Sequence, residues 1–209
     1  MIKRGEIVSI ECSASRRGSV CGVGIYEAGR HAATDSVGQT KLYSLWASML
    51  QRCYLPSVQK RCTSYVGCSV DKRFHHFQDF CDWSVAQVGF PESYHLDKDL
   101  LVVGNKVYGP ETCVFVPNII NNLTLQCKKN RGTYPIGVSY HKTNGTFTAK
   151  VVVGWAKRAK AGFAHPEQAF LWYKCEKERI IKSLAAEYKS SIDSRVYVRL
   201  MTWEIQVDD

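Results

Sequence analysis

Residues 137–163, "GVSYHKTNGTFTAKVVVGWAKRAKAGF", decide how this chain folds. The runs "GVSYH" and "TFTAKVVV" are rich in β-branched and aromatic residues and alternate apolar with polar. Between them stands "KTNG", whose Asn-Gly pair suits the left-handed backbone of a hairpin turn. A third strand is expected in "RAKAGFA". Side chains alternate across a strand. Counting by twos places Val138, Tyr140, Phe147, Ala149, Val151, Val153, Ala159, Ala161 and Phe163 on one face. The other face then carries Ser139, His141, Thr146, Thr148, Lys150, Arg158 and Lys160. The following "HPEQAFLWYKCEKERIIKSLAAEYK" reads as a long helix, with Pro166 at its first position and Glu167 at its positive end. Phe170, Tyr173, Ile180, Ile181, Leu184 and Tyr188 give it an apolar stripe. The expected unit is a three-stranded antiparallel sheet packed on one long helix, with the open face polar and basic. Residues 195–207 are expected as a final strand or a packed tail.

Upstream, "KLYSLWASMLQRCY" repeats Leu42, Leu45, Trp46, Met49, Leu50 and Cys53 at three and four, one face of a helix. Pro56 breaks it. A second helix is expected in "RFHHFQDFCDWSVAQ" with Phe74, Phe77, Phe80 and Cys81 inward, ended by Gly89 and Pro91. Residues 94–103 read as a strand pair or a hairpin start. "PETCVFVPNIINNL" is expected to begin as a helix at Pro110, with Glu111 at its positive end and Pro117 limiting it. Short strands are expected in "EIVSIE" and "CGVGIYE". The whole is an α+β protein: an N-terminal segment at 1–40, one module at 41–127, a basic linker at 128–135 and a second module at 136–209.

The chain has 209 residues with 28 basic against 19 acidic, a net charge of +9. The excess is spread, +4 in residues 1–130 and +5 in residues 131–209. Such a balance favours a polyanionic partner, because every phosphate contact releases counterions. No apolar run is long enough to span a membrane, and no signal-peptide stretch stands at the N-terminus. The expectation is a soluble, intracellular protein. The nine cysteines show no two-residue spacing of a zinc knuckle. Reduced, buried thiols are expected rather than disulfides or zinc; the minor zinc reading would use Cys62, Cys68, Cys81 and His75 or His76.

The open sheet face suits double-stranded DNA. A two- or three-stranded ribbon enters the major groove, where outward side chains meet base edges and flanking cations meet phosphates. The residues expected at DNA are His141, Lys142, Thr148, Lys150, Arg158 and Lys160, with Lys128, Lys129 and Arg131 of the linker lying on phosphate.

"GTYPIGVSYHKTNGTFTAKVVV", the basic third strand and "AHPEQAFLWYKCEKERIIKSLAAEY" resemble the sheet-plus-helix DNA-binding domain of plant ethylene-response factors, the Apetala type. In bacteriophage proteins that module often follows a homing-endonuclease core of the HNH type. "YSLWASMLQRCY", "FHHFQDFCDW", "HLDKDLL", "GNKVYGPETCVFVP" and "INN" are similar to the frame of that core, and the combined resemblance spans roughly residues 41–205. It implies a ββα-metal core, metal-dependent phosphodiester cleavage, magnesium or manganese as cofactor, and the cytoplasm of an infected bacterial host as location. In such a core an acid and a helix Asn or His hold one divalent ion, and a His next to the acid accepts a proton from water.

The resemblance puts Asp97 at the acid position, Asn105 at the loop Asn, and Lys98 and Thr112 where His and Asn or His usually stand. Lysine, with a reference pKa near 10.4, is protonated at neutral pH and does not accept a proton; a cation there would instead stabilise phosphate charge. His95, two residues before Asp97 and on the same strand face, is a displaced base. Asp99 is a second carboxylate on that face. The implied catalytic set is therefore His95, Asp97, Lys98 and Asn105, and the implied metal set Asp97, Asp99 and Thr112. The alternative class is a catalytically degenerate DNA-binding regulator, or an inhibitor of a host enzyme, built on the same scaffold. A zinc-stabilised RNA-binding protein is the third.

Overall fold

The computed structural model describes residues 19–90, 94–124, 133–154 and 156–207. The strand expected in "EIVSIE" and the basic run Lys128, Lys129 and Arg131 lie outside them. The chain divides into two compact units, Met1–Phe115 and Val116–Asp209. Both mix α and β. Among the described residues, no helix is long and apolar enough to cross a membrane.

The first unit opens with a small antiparallel pair, β1 (Ser19–Val20) and β2 (Gly24–Ile25). Helix α1 (Lys41–Tyr54) covers the stretch expected from its periodicity. The Thr40 hydroxyl caps it by accepting the Tyr43 N–H, satisfying one orphan donor of the first turn. Trp46, Met49, Leu50 and Cys53 are buried as the spacing implies, joined by Tyr43 and Ala47. Leu55 leaves the helical region, and Pro56 starts the short helix α2 (Pro56–Arg61). The Trp46 indole N–H donates to the Phe74 carbonyl at 2.8 Å, so the largest core side chain also satisfies a buried acceptor.

Strand β3 (Ser69–Val70) leads into a 3-10 turn at Lys72–Phe74 and then helix α3 (Phe77–Val85). The second helix thus starts four residues later than the periodicity of "RFHHFQDFCDW" suggests. Local capping and a tertiary bond explain the delay. The Asp71 carboxylate accepts the Arg73 N–H, and the His75 carbonyl is taken by the Ile25 N–H at 2.8 Å, leaving His76 extended. Phe74, Phe77, Phe80 and Cys81 all reach the core, where aromatic rings meet edge-to-face and tilted around Tyr43, Trp46 and Trp83.

Strand β4 (His95–Asp97) does not form a hairpin within residues 94–103. The Asp97 carboxylate accepts the N–H groups of Asp99 and Leu100, a side-chain turn that ends the strand. Its partner is β6 (Val114–Val116), while β5 (Val107–Tyr108) pairs in parallel with β3. The helix expected from Pro110 is absent: residues 110–112 make one turn on the Gly109 carbonyl, and the chain then extends through the fully buried Cys113, Val114, Phe115 and Val116. Pro117 carries no N–H and disfavours the helical region for the residue before it. The helix begins only after it, as α4 (Asn118–Thr124) in the second unit.

That unit contains the antiparallel sheet β7 (Val138–His141), β8 (Thr146–Val153), β9 (Ala156–Phe163), with β8 central. Helix α5 (Pro166–Glu187) packs on it. Ala149 and Val151 of β8 are buried, as are Ala169, Phe170, Tyr173, Ile181 and Ala185 of α5. At Gly137 the backbone adopts φ of +75°, and a Cβ there would fall 2.1 Å from the Tyr173 ring; only glycine lets the helix lie this close.

Residues 195–207 form no strand; they begin in a helix and end as a packed tail. The Asp193 carboxylate caps helix α6 (Ser194–Met201), and the apparent alternation of "RVYVRL" gives way to burial of Val196 and Leu200 one turn apart. Trp203 and Ile205 then pack beyond the helix. The α5 ion pair Lys174–Glu178 holds this tail: Lys174 donates to the Ile205 carbonyl and Glu178 accepts its N–H.

Lys177 lies four residues from both Tyr173 and Ile181, hence on the apolar stripe, and burial pulls its pKa down to about 8. Its charged form is disfavoured in the folded state. The stability linked to it is fully present above the unfolded value of 10.5 and is lost as pH falls through about 8. Lys177→Met is therefore expected to melt higher than the wild type at pH 7, with the gain shrinking between pH 8 and 10.5. An equal or lower melting temperature at pH 7 would contradict this account.

Candidate nucleic-acid interface and acidic turn

Register decides which side chains share a face. On the β7–β8 ladder Ser139 faces Thr148 and His141 faces Thr146, while Val138 faces Ala149 and Tyr140 faces Phe147. This matches the alternation read from the sequence. On β8–β9 the match fails. Lys150 stands opposite Ala159 and Val152 opposite Lys157, whereas Val151 faces Arg158 and Ala149 faces Lys160. Directly opposed residues point to the same side of a sheet. Arg158 and Lys160 therefore belong to the α5 side, with the buried Val151 and Ala149, and Lys157 joins Lys150 on the open side.

The cause is a bulge. Phe147 pairs with Phe163 and Ala149 with Lys160, so two steps on β8 are matched by three on β9. The additional residue lies next to Gly162, whose φ is +86°. One inserted residue reverses every side chain beyond it. Counting by twos through Gly162 thus puts the basic residues on the wrong face. Arg158 reaches Glu176 of α5 at 3.4 Å, and the Lys160 ammonium lies 5.5 Å from the Phe163 ring centroid.

The open face carries Ser139, His141, Thr146, Thr148, Lys150, Val152, Lys157 and Ala159. His141, Lys150, Lys157 and Ala159 are exposed and Thr146 and Thr148 half-buried; Lys142 is exposed in the hairpin turn. Val152 is 51% exposed. No described helix lies over this face in the second unit: α5 occupies the other side. Adjacent strands stand ~4.8 Å apart and alternate residues ~6.7 Å, so Lys150 and Lys157, on adjacent strands and two pairings apart along the ladder, are neighbours on one cationic patch. Beyond the end of the hairpin core Tyr134, Tyr140 and Phe147 form an aromatic cluster with ring centroids 5.0 to 6.1 Å apart.

In the first unit the structure brings together Asp97, Lys98, Asp99, Asn105 and Thr112. The Lys98 side chain is only 8% exposed; its ammonium donates to the Asp99 carboxylate at 3.0 Å and to the Asn105 carbonyl at 3.1 Å. It also lies 5.7 Å from the Tyr108 ring centroid. Asn105 answers by donating its amide to the Lys98 and Val107 carbonyls, both at 2.7 Å, and accepting the Val107 N–H. Thr112 donates its hydroxyl to the Val107 and Gly109 carbonyls. Burial, then the Asp99 charge, hold the Asp97 carboxyl above the usual carboxylate range. His95 is exposed on β4 outside this network.

A fork invisible to the sequence pattern braces the turn. Arg73 binds Glu111 through two hydrogen bonds of 2.6 and 2.7 Å and Asp71 through its other edge. These bonds hold the Asp71 carboxyl down to about 2. Glu111, expected at a helix end, is instead the partner of an arginine.

The oxygen-rich set does not suit a divalent ion as arranged. One Asp97 oxygen is engaged by two backbone N–H groups, and one Asp99 oxygen by an ammonium. A magnesium ion ~2.1 Å from that Asp99 oxygen would lie within about 5 Å of the Lys98 nitrogen, facing like charge. Among the described residues no group of three or more His, Cys, Asp or Glu side chains is gathered so as to hold a metal. Cys68 donates to the Ser64 carbonyl, and burial pushes the Cys53, Cys81 and Cys113 thiols up to about 12, away from the thiolate that zinc requires. Cys53, Cys62, Cys68, Cys81, Cys113 and Cys175 form no disulfide.

Comparison of the chain with protein-family models, curated proteins and solved structures returned no match.

Asn105 is a structural knot whose amide serves two carbonyls. Asn105→Ala leaves both without that donor and is expected to cost roughly 1–3 kcal/mol of unfolding free energy. Asn105→Asp, which sets a carboxylate against the same carbonyls, is expected to cost more. Urea titration checks the order; a fully stable Asn105→Asp would refute the role.

Proposed function

We propose that this protein binds double-stranded DNA through the open face of β7, β8 and β9, and that it does so without cutting it. The observation that carries this reading is the sidedness of the sheet. One face is consumed by α5, and the other is polar, basic and exposed around Lys150 and Lys157. A twisted antiparallel ribbon of this kind matches the width of a major groove. Lysines on it act as point charges toward phosphate, and Thr148, Ser139 and His141 offer donors and acceptors to base edges. The net charge of +9 supports the same partner through counterion release. Arg158, occupied by Glu176 on the helix side, takes a lesser part than its place in the basic run suggests.

The acidic turn supports the reading without cutting. The residue beside Asp97 is a cation bonded to Asp99, not a base, and Thr112 spends its proton on backbone carbonyls. The competing reading, magnesium- or manganese-dependent cleavage at Asp97 and Asp99 with His95 as base, is favoured by one observation: burial, and then the Asp99 charge, hold the Asp97 carboxyl above the usual carboxylate range, a strain that a bound cation would relieve. Incubation of supercoiled DNA with pure protein, with either ion and with chelator, separates the two. Ion-dependent nicked or linear product, lost in Asp97→Ala, would establish cleavage.

For binding, Lys150→Ala and Lys157→Ala are each expected to weaken affinity for duplex and to reduce the slope of log affinity against log salt by about one. Arg158→Ala is expected to change that slope less. Fluorescence anisotropy at several salt concentrations measures all three. Unchanged affinity at low salt in both lysine variants would remove this face from consideration.

A further inference from the structure

We infer that the Lys98 ammonium is the resident cation of the Asp97–Thr112 turn, standing where a divalent ion would otherwise be recruited. Three observations carry it. The Lys98 side chain is 8% exposed, yet it ends among oxygens, on the Asp99 carboxylate and the Asn105 carbonyl. The backbone that presents those oxygens is fixed by the same residues: Asn105 donates back to the Lys98 carbonyl, and Asp97 closes the turn by accepting two backbone N–H groups. The Tyr108 ring lies 5.7 Å from the ammonium and closes its apolar side.

A buried cation needs paired oxygens to offset its desolvation, and two nearby carboxylates need a positive charge. Lys98 finds paired oxygens on Asp99 and Asn105 and, tethered to the chain, supplies a positive charge to Asp99. The Asp99 carboxylate is thereby paired without metal. This positioning role concerns Lys98 alone and stands whether or not the sheet face binds DNA.

The test uses the full chain and manganese as probe, read by electron paramagnetic resonance titration and by thermal melting with and without chelator. The wild type is expected to show no manganese binding that Asp97→Ala abolishes, and the same melting temperature in chelator as in millimolar manganese. Lys98→Met, which keeps the stem and removes the charge, is expected to melt lower in chelator and to regain stability with manganese in a saturable way; Lys98→Arg is expected to stay manganese-insensitive. A wild-type manganese site lost in Asp97→Ala overturns the inference, as does a Lys98→Met that melts like the wild type in chelator. Should Lys98→Met fail to fold, the wild-type titration still decides. DNA anisotropy is read separately, so loss of one reading does not disguise loss of the other.

Discussion

The second unit depends on the contact between the apolar stripe of α5 and the buried side of β8. Ala149 and Val151 are small enough to let the helix approach, and Phe170, Tyr173 and Ile181 fill the interval. Burial of apolar side chains of this size contributes ~1.5–3 kcal/mol each, which makes the contact the dominant favourable term in a sheet of only three strands. Gly137 is the geometric condition for it, since any Cβ would collide with the Tyr173 ring. With that face used by α5, the other, on which no described helix is packed, is mostly polar. The sidedness that suggests a nucleic-acid partner is thus a consequence of how the sheet is held.

The acidic turn of the first unit shows a different economy. One Asp97 oxygen is bound by backbone N–H groups, one Asp99 oxygen by a lysine whose stem is buried, and the Lys98 carbonyl by an asparagine amide. Arg73, Asp71 and Glu111 brace the same region from outside. Exposed ion pairs of that kind contribute little individually, but a two-sided fork fixes geometry. The residue types that resemble a hydrolytic centre are therefore organised here chiefly by hydrogen bonds to one another.

Much of the architecture was legible. Helix α1 and helix α5 follow from spacing at three and four, because an amphipathic helix has only one way to hide its stripe. The β7–β8 hairpin follows from alternation around Asn144 and Gly145. Other readings failed for identifiable reasons. At Pro110 a good helix start was overridden by the apolar run 113–116, whose four residues are all buried and extended, and by Pro117. At residues 195–200 a period-2 pattern concealed a helix because Val196 and Leu200 satisfy both periods. Along β9, alternation was correct at Phe163 and reversed for residues 157–160, on the other side of the bulge at Gly162, so Lys157 was missed and Arg158 and Lys160 were placed on the open face.

Composition and short-range pattern alone determined that this is a basic α+β chain and that a helix backs a three-stranded sheet. These properties are local: they depend on residues within a few turns of each other. Which lysine points outward, whether Glu111 caps a helix or binds Arg73, and whether Lys98 is a free cation or a bonded one were decided only by tertiary structure. The first depends on a single inserted residue, the second on a partner 38 residues away and the third on how the turn from Lys98 to Asn105 folds back on itself, and none leaves a period in the sequence to be read.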